Sequence, residues 1–276
     1  VTTRLDADLV ARGLARSRAE ARDLIRDGLV RVDDRTVTKA ATSVSADADI
    51  TVTCGGTRWV GRGAEKLLAA LTEFAPAGLI VAGRDALDAG ASTGGFTQVL
   101  LARGAARVAA VDVGHGQLAP VVAADDRVTD FSGVSVRDLD PATVGGPVDL
   151  LVADLSFISL RTVLVDLARL VRPGGDLVLL VKPQFEVGRE RLGKGGIVRR
   201  PDHREGALAA VLETARSIGL APGGLIRSPL RGGHGNHEYL LWLRRDDLAH
   251  DVVGSAWEAL LRKAATVAMD DNEEER

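Results

Sequence analysis

Asp85-Ala86-Leu87-Asp88-Ala89-Gly90-Ala91-Ser92-Thr93-Gly94-Gly95-Phe96 is the stretch on which the fold of this chain turns. Its first five residues have the length and apolar content of a buried strand, and 97–103 continue with helical spacing. Glycines at a strand-to-helix turn let the backbone approach a ligand closely, and the free N–H groups of the helix start favour polar or anionic groups. Further on, the apolar run Val108-Ala109-Ala110-Val111 ends in Asp112. A carboxylate there is placed to accept hydrogen bonds from the ribose hydroxyls of an adenosine-containing cofactor.

Outward from that turn the pattern repeats. Strands are expected near 85–89, 107–113, 148–153 and 177–181, with helices between them and another helix over 64–74. Apolar strands alternating with helices specify an α/β fold, a mostly parallel Rossmann-like sheet covered on both faces. Leu225-Ile226 and Tyr239-Leu240-Leu241-Trp242-Leu243 read as a closing pair, with the last strand antiparallel.

Three motifs fit this region in part. The dinucleotide fingerprint G-x-G-x-x-G needs glycine where Ser92 stands, which favours a cofactor without a pyrophosphate. Gly90 to Gly94 satisfies G-x-S-x-G, with Asp154 and His237 in hydrolase order, but a nucleophile elbow lies deeper in the strand order than this. Gly188 to Gly195 matches G-x-x-x-x-G-K, yet it lacks the Ser or Thr for magnesium and no buried strand leads directly into it, so it reads as a mobile loop.

Lys182 closes the run Leu177-Val178-Leu179-Leu180-Val181 and precedes Pro183, and Asp154 closes 148–153. Strands of one parallel sheet present their C-terminal ends to the same crevice, so these side chains should meet beside the cofactor. Lys66, on the helix after the linker, and Glu238, before the final strand, can reach it from the sides. Blander roles exist for each: a snorkelling lysine, a capping aspartate, surface charges.

Residues 1–54 read as a separate small α+β unit. Leu5, Leu9, Val10 and Leu14 mark a first helix stopped at Gly13. Ser17 caps a second helix carrying Ala21, Leu24 and Ile25, and Gly28 ends it before short strands at 29–32 and 50–53. Arg4, Arg12, Arg16, Arg18, Arg22, Arg26 and Lys39 can form a cationic face, although Asp8, Glu20, Asp23 and Asp27 share the helices. Residues 55–63 read as a linker in which Trp59 docks on the second domain, 64–270 as the larger domain and 271–276 as an acidic tail.

Composition narrows the partners. The 276 residues, 46% hydrophobic and 26% charged, describe a globular protein. No apolar run approaches the roughly 20 residues of a membrane span, and the N-terminal residues alternate apolar with charged, so a cytoplasmic protein without membrane contact is expected. A single Cys54 and five histidines without ligand spacing lead to no expected metal. A net charge of −3 leaves any RNA contact to a local patch.

The pattern Arg4-Leu5-Asp6, Leu9, Gly13, Ser17-Arg18, Ala21, Leu24-Ile25, Gly28, Val30, Val32 resembles the small RNA-binding domain of ribosomal protein S-four, also called alpha-L. Asp88-Ala89-Gly90 to Phe96, Asp154-Leu155-Ser156-Phe157-Ile158-Ser159 and Val181-Lys182-Pro183-Gln184-Phe185-Glu186 together resemble the TlyA family of ribosomal RNA 2'-O-methyltransferases, whose catalytic domain is FtsJ-like. That resemblance implies a Lys66, Asp154, Lys182, Glu238 tetrad and S-adenosylmethionine bound by Gly90, Ala91, Ser92, Thr93, Gly94, Gly95, Phe96, Asp112 and Asp154. It also implies RNA contacts from Arg4, Arg16, Arg18, Lys39 and Arg62, and a linker element Arg58-Trp59-Val60. The implied substrate is cytidine ribose in 16S or 23S rRNA within 30S or 50S subunits, met by a monomer. Lys182 would activate the 2'-hydroxyl either as a base or as a fixed cation. Some family members carry a haemolysin label, so a membrane-active protein is the competing class, and a ribosome assembly factor is a third.

Overall fold

The computed structural model of the protein describes residues 2–15, 17–26, 28–52, 59–246 and 254–269. The chain forms two compact units, Val1–Arg58 and Trp59–Arg276. Arg16, Cys54, linker residues 55–58 with Arg58, and the acidic tail lie outside the described residues.

In the smaller unit, β1 (Thr2–Arg4) leads into α1 (Leu5–Ala11), followed by α2 (Arg18–Arg26), β2 (Val30–Val32), β3 (Arg35–Thr36), β4 (Ser43–Ser45) and β5 (Ile50–Val52). Leu5, Leu9, Ala21, Ile25, Val30 and Ile50 share one core. Ser17 does cap α2, its Oγ accepting the Glu20 N–H at 3.2 Å. β2 pairs antiparallel with β3 and β5, and β1 with β4. Strands β1, β3 and β4 exceed the sequence expectation, since two or three residues are too few to show a period of two.

The larger unit runs α3 (Gly63–Phe74), β6 (Asp85–Ala89), α4 (Gly95–Ala102), β7 (Arg107–Asp112), α5 (Pro120–Ala123), β8 (Val128–Ser132) and β9 (Val148–Ala153). It continues through α6 (Leu160–Arg169), β10 (Val171–Val181), α7 (Pro183–Glu186), α8 (Pro201–Ser217), β11 (Ala221–Arg227), β12 (Tyr239–Arg244) and α9 (Gly254–Met269). The strand order is β11-β12-β10-β9-β6-β7-β8. Strands β10, β9, β6, β7 and β8 are parallel, and β12 is antiparallel to both neighbours. The chain leaves β6 towards β8 and returns to β9 on the other side, which opens a crevice over the C-terminal ends of β6 and β9.

Alternation along the strands builds two cores. Leu87, Leu151, Leu179 and Leu241 face α6, α8 and α9, whereas Ala86, Leu150, Val178 and Trp242 face α3 and α4. Each fully buried leucine contributes about 1.5–3 kcal/mol of burial free energy, so strand ends at the crevice sit on a rigid base. Trp59 packs against the α3–α4 core, and the buried Val60 donates its N–H to Gln98 Oε1 at 2.7 Å.

Two boundaries differ from the sequence reading. β10 begins at Val171, six residues early, because a register shift between Val171 and Asp176 lets Pro173-Gly174-Gly175 bulge. β8 carries no apolar run because it is a half-exposed edge strand.

Candidate active site

The crevice gathers four charged side chains from four elements. Lys182 leaves the end of β10 before Pro183 opens α7, and its Nζ lies 2.7 Å from Asp154 Oδ1, at the end of β9. The same amine donates to Ser156 Oγ at 2.8 Å and sits 5.9 Å above the Phe185 ring. Lys66, on the first turns of α3, donates to Glu238 Oε2 at 2.5 Å and lies 4.0 Å from Asp154 Oδ2. Lys66 and Lys182 are each only 8% exposed and Glu238 3%, which rules out snorkelling and surface-charge roles. Breaking such a buried pair by removing one partner costs about 3–5 kcal/mol, so each member fixes its neighbour.

Beneath Asp154 lies the glycine turn. Gly90 has φ +82°, and a Cβ there would fall 2.6 Å from the Asp154 carbonyl oxygen, so only glycine lets the turn approach β9 this closely. A cavity of about 530 Å³ opens above it, with Gly90, Ser92, Asp112, Asp154, Leu155 and Phe157 in its wall. Asp112 Oδ2 accepts the Ser92 N–H at 2.9 Å and Oδ1 the Gly114 N–H at 2.7 Å, so this carboxylate braces the loop and keeps further lone pairs for a ligand. Ala91, Thr93, Gly94, Gly95 and Phe96 do not line this cavity. Gly94 and Gly95 start α4, and Phe96 turns into the α3–α4 core, because a helix sends successive residues to different faces.

Asp88 is a member the sequence reading passed over. It is fully buried at the end of β6, and its Oδ2 accepts both the N–H and the hydroxyl of Thr97, at 2.8 and 2.7 Å. Burial pushes its carboxyl up to about 7, against the opposing Thr97 hydrogen bonds, with Asp154 and Asp112 adding repulsion. The signal was a carboxylate set between the apolar Leu87 and Ala89 of this strand.

A second cavity of about 700 Å³ adjoins the first across Phe157 and Ser156, and Lys182 and Glu238 stand in its wall. Phe157 is 91% exposed and held at φ +64°, a conformation a bulky residue adopts only under constraint. Its ring lies 5.5 Å from that of Phe185. The constraint comes from Glu186, which accepts from Ser159 Oγ at 2.6 Å and from the Leu160 N–H at 2.7 Å, pinning the loop after β9 onto α7. Burial raises the Glu186 carboxyl above its ordinary value. Among the described residues no group of three or more His, Cys, Asp or Glu is arranged to hold a metal ion.

In the smaller unit, buried Asp6 organises the cations. Arg4 and Arg18, both half-exposed, reach Asp6 at 3.0 Å each, and these arginines hold its carboxyl down at about 2 against burial. The Asp6 N–H donates to Ala40 O at 3.2 Å, which brings the turn carrying exposed Lys39 alongside. Arg12 departs from the expected face: it pairs with Asp8, one helical turn before it, at 2.8 Å and donates to Ala48 O at 2.8 Å. Arg26 pairs with Asp23. In the larger unit, exposed Arg62 donates to Arg231 O at 3.3 Å.

Comparison with known proteins identifies both units. Residues 59–245 match the FtsJ-like methyltransferase family and residues 3–50 the S4 domain. The chain belongs to the FtsJ-like methyltransferase family. Within that family it is 53% identical over 242 residues to a Mycobacterium tuberculosis protein named 16S/23S rRNA (cytidine-2'-O)-methyltransferase TlyA, covering 87% of this chain and 89% of the relative. A Bacillus subtilis relative, YqxC, provisionally named an rRNA methyltransferase, is 42% identical over 87% of this chain and 85% of its own. A solved Streptococcus thermophilus structure, provisionally titled a hemolysin, superposes with a TM-score of 0.71 at 37% identity and 96% coverage of each chain. Among the described residues no helix of this family member is long and apolar enough to cross a membrane.

Proposed function

We propose that this chain methylates ribose 2'-hydroxyls of ribosomal RNA, at cytidine, with S-adenosylmethionine as donor. The observation that carries the reading is the Lys182 amine, held by Asp154 at 2.7 Å and Ser156 at 2.8 Å where the two cavities meet. One cavity then takes the cofactor and the other the RNA.

The residues present suit the cofactor. Gly90 clears the space a Cβ would fill, Asp112 offers acceptors for ribose hydroxyls, and Asp154 closes the wall towards the tetrad. When bound, S-adenosylmethionine supplies an electrophilic sulfonium methyl. The protein's task is to activate a weakly acidic hydroxyl and align it. Two positions of the Lys182 amine are committed to Asp154 and Ser156, which leaves one for the substrate oxygen. As a lone pair that position takes the hydroxyl proton; as an N–H it holds the developing alkoxide while the proton leaves to water. Glu238 holds Lys66 as a second cation 4.0 Å from Asp154, the carboxylate that also holds Lys182.

Exposed Phe157 supplies a face on which an unstacked base can lie, the usual way proteins grip single RNA nucleotides. Arg4, Arg18 and Lys39 around Asp6 supply phosphate contacts from the smaller unit, and exposed Arg62 from the larger. The name of the Mycobacterium tuberculosis relative supports 16S and 23S rRNA in the two subunits as substrates. The test is methyl transfer from labelled S-adenosylmethionine to purified 30S and 50S subunits, followed by mapping of 2'-O-methyl groups. Label appearing on a base or on protein, or none on either subunit, would overturn the reading.

A further inference from the structure

The buried amide of Asn236 ties together two loops that no site residue above accounts for. It stands two residues before Glu238, between β11 and β12, and is 3% exposed. Its Nδ2 donates to Gly196 O at 2.9 Å and its Oδ1 accepts the Val198 N–H at 2.9 Å. Its own carbonyl accepts the Gly232 N–H at 2.9 Å, which shapes the loop it stands on. One side chain thus spends both ends on a segment about forty residues away.

Within that segment, 188–198, the tip closes on itself through Gly193 N–H to Ile197 O and Gly196 N–H to Gly193 O, both at 3.0 Å, and buried Arg204 donates to Val198 O at the far end, so among these side-chain bonds those of Asn236 tie the tip to the loop before β12. Gly188, Gly195 and Gly196 all have φ between +74° and +80°. Val187 and Val198 anchor its two ends in a small apolar cluster with Ala207. Between these anchors it exposes Arg189, Arg191 and Lys194 against the exposed acid Glu190, and Arg199 follows just beyond, whereas Arg200 is paired with Asp202 at 2.6 Å. Gly188, Arg189, Leu192, Gly195 and Gly196 form one wall of the 700 Å³ cavity beside Lys182. Nothing in this segment lines the cavity above Gly90.

We infer that Asn236 is a positioning residue: it latches the cationic glycine-rich loop as the outer wall of the RNA cavity and registers that wall to Glu238 and Lys66. The inference rests on the reading that this cavity receives rRNA. A phosphate seated on Arg189 or Lys194 is then held at a fixed offset from the amine that acts on the 2'-hydroxyl, so loosening the latch weakens productive RNA binding and leaves the cofactor cavity unchanged.

Three variants test it. Asn236→Leu removes both hydrogen bonds, and Asn236→Asp keeps the acceptor for Val198 but sets a carboxylate against Gly196 O. Gly196→Ala strains the loop from outside, since its Cβ would meet nothing within 4 Å while φ is +74°, so it reads the same effect if the Asn236 variants fold poorly. Expected are a rise of about tenfold or more in KM for ribosomal subunits with kcat within about threefold, and S-adenosylmethionine affinity within about twofold of wild type. Amide exchange at Val198 should accelerate in Asn236→Leu. An unchanged KM, or cofactor affinity falling in parallel with it, would overturn the latch, as would unchanged exchange at Val198. A wild-type chain inactive on every rRNA substrate would instead overturn the proposed function, and the exchange measurement would still read the latch.

Discussion

Replacing Asp88 by asparagine should change how the stability of the larger unit depends on pH. The carboxyl is fully buried, Thr97 occupies Oδ2, and Oδ1 has no protein hydrogen-bond partner. Burial raises its pKa from 3.8 to about 7. The folded chain therefore keeps a proton between about pH 4 and 7 that the unfolded chain has lost, and the stability this contributes disappears as pH rises through about 7. One bound proton corresponds to about 1.4 kcal/mol per pH unit, which integrates to about 2.5 kcal/mol between pH 5 and 8. Asparagine does not titrate. Its amide oxygen can still accept from Thr97, at the constant cost of an amide NH2 where Oδ1 stood. Guanidinium unfolding of both proteins at pH 5, 6, 7 and 8, followed by tryptophan fluorescence, measures the effect; Trp59, Trp242 and Trp257 all belong to the larger unit, so the signal reports that unit. The difference between the two proteins should move by about 2.5 kcal/mol in favour of Asp88→Asn from pH 5 to 8. Glu186, also raised by burial, is common to both and cancels. Parallel stability curves would refute the reasoning.

Lys182→Ala should lower methyl transfer by about a thousandfold or more while calorimetry finds cofactor binding within a few-fold, since Lys182 lies outside the cavity above Gly90; retained turnover would remove it from the mechanism. Phe157→Ala should raise KM for ribosomal subunits and leave the melting temperature nearly unchanged, because the ring is exposed and the backbone strained. A large loss of stability instead would make Phe157 a packing residue. Arg18→Ala should weaken rRNA binding evenly and reduce the slope of log affinity against log salt by about one, read by filter binding over a salt series. An unaltered slope would argue against a phosphate contact there.

The central strands and the glycine turn were legible because local rules govern them. β6 and β9 fall where the apolar runs predict, and Gly90 is glycine because its φ and its approach to β9 admit nothing else. Edge strand β8 and the bulged start of β10 were not, because partner strands rather than their own residues define them. Lys182 and Asp154 could be paired in advance, since both end adjacent parallel strands. That Ser156 shares the Lys182 amine, that Glu186 cross-links the two strand-end loops, and that Asn236 holds a loop forty residues away depend on side chains crossing long sequence separations. Likewise, sequence offered a crowd of arginines in the smaller unit, and only packing separated Arg4 and Arg18, gathered on buried Asp6, from Arg12, drawn off by Asp8 and the Ala48 carbonyl. Periodicity and glycine placement, which act over a few residues, determined the architecture and the sites of the strand-end charges. Which of those charges meet, which are buried, and which wall encloses them were decided by tertiary packing, because distance and desolvation have no signature along the chain.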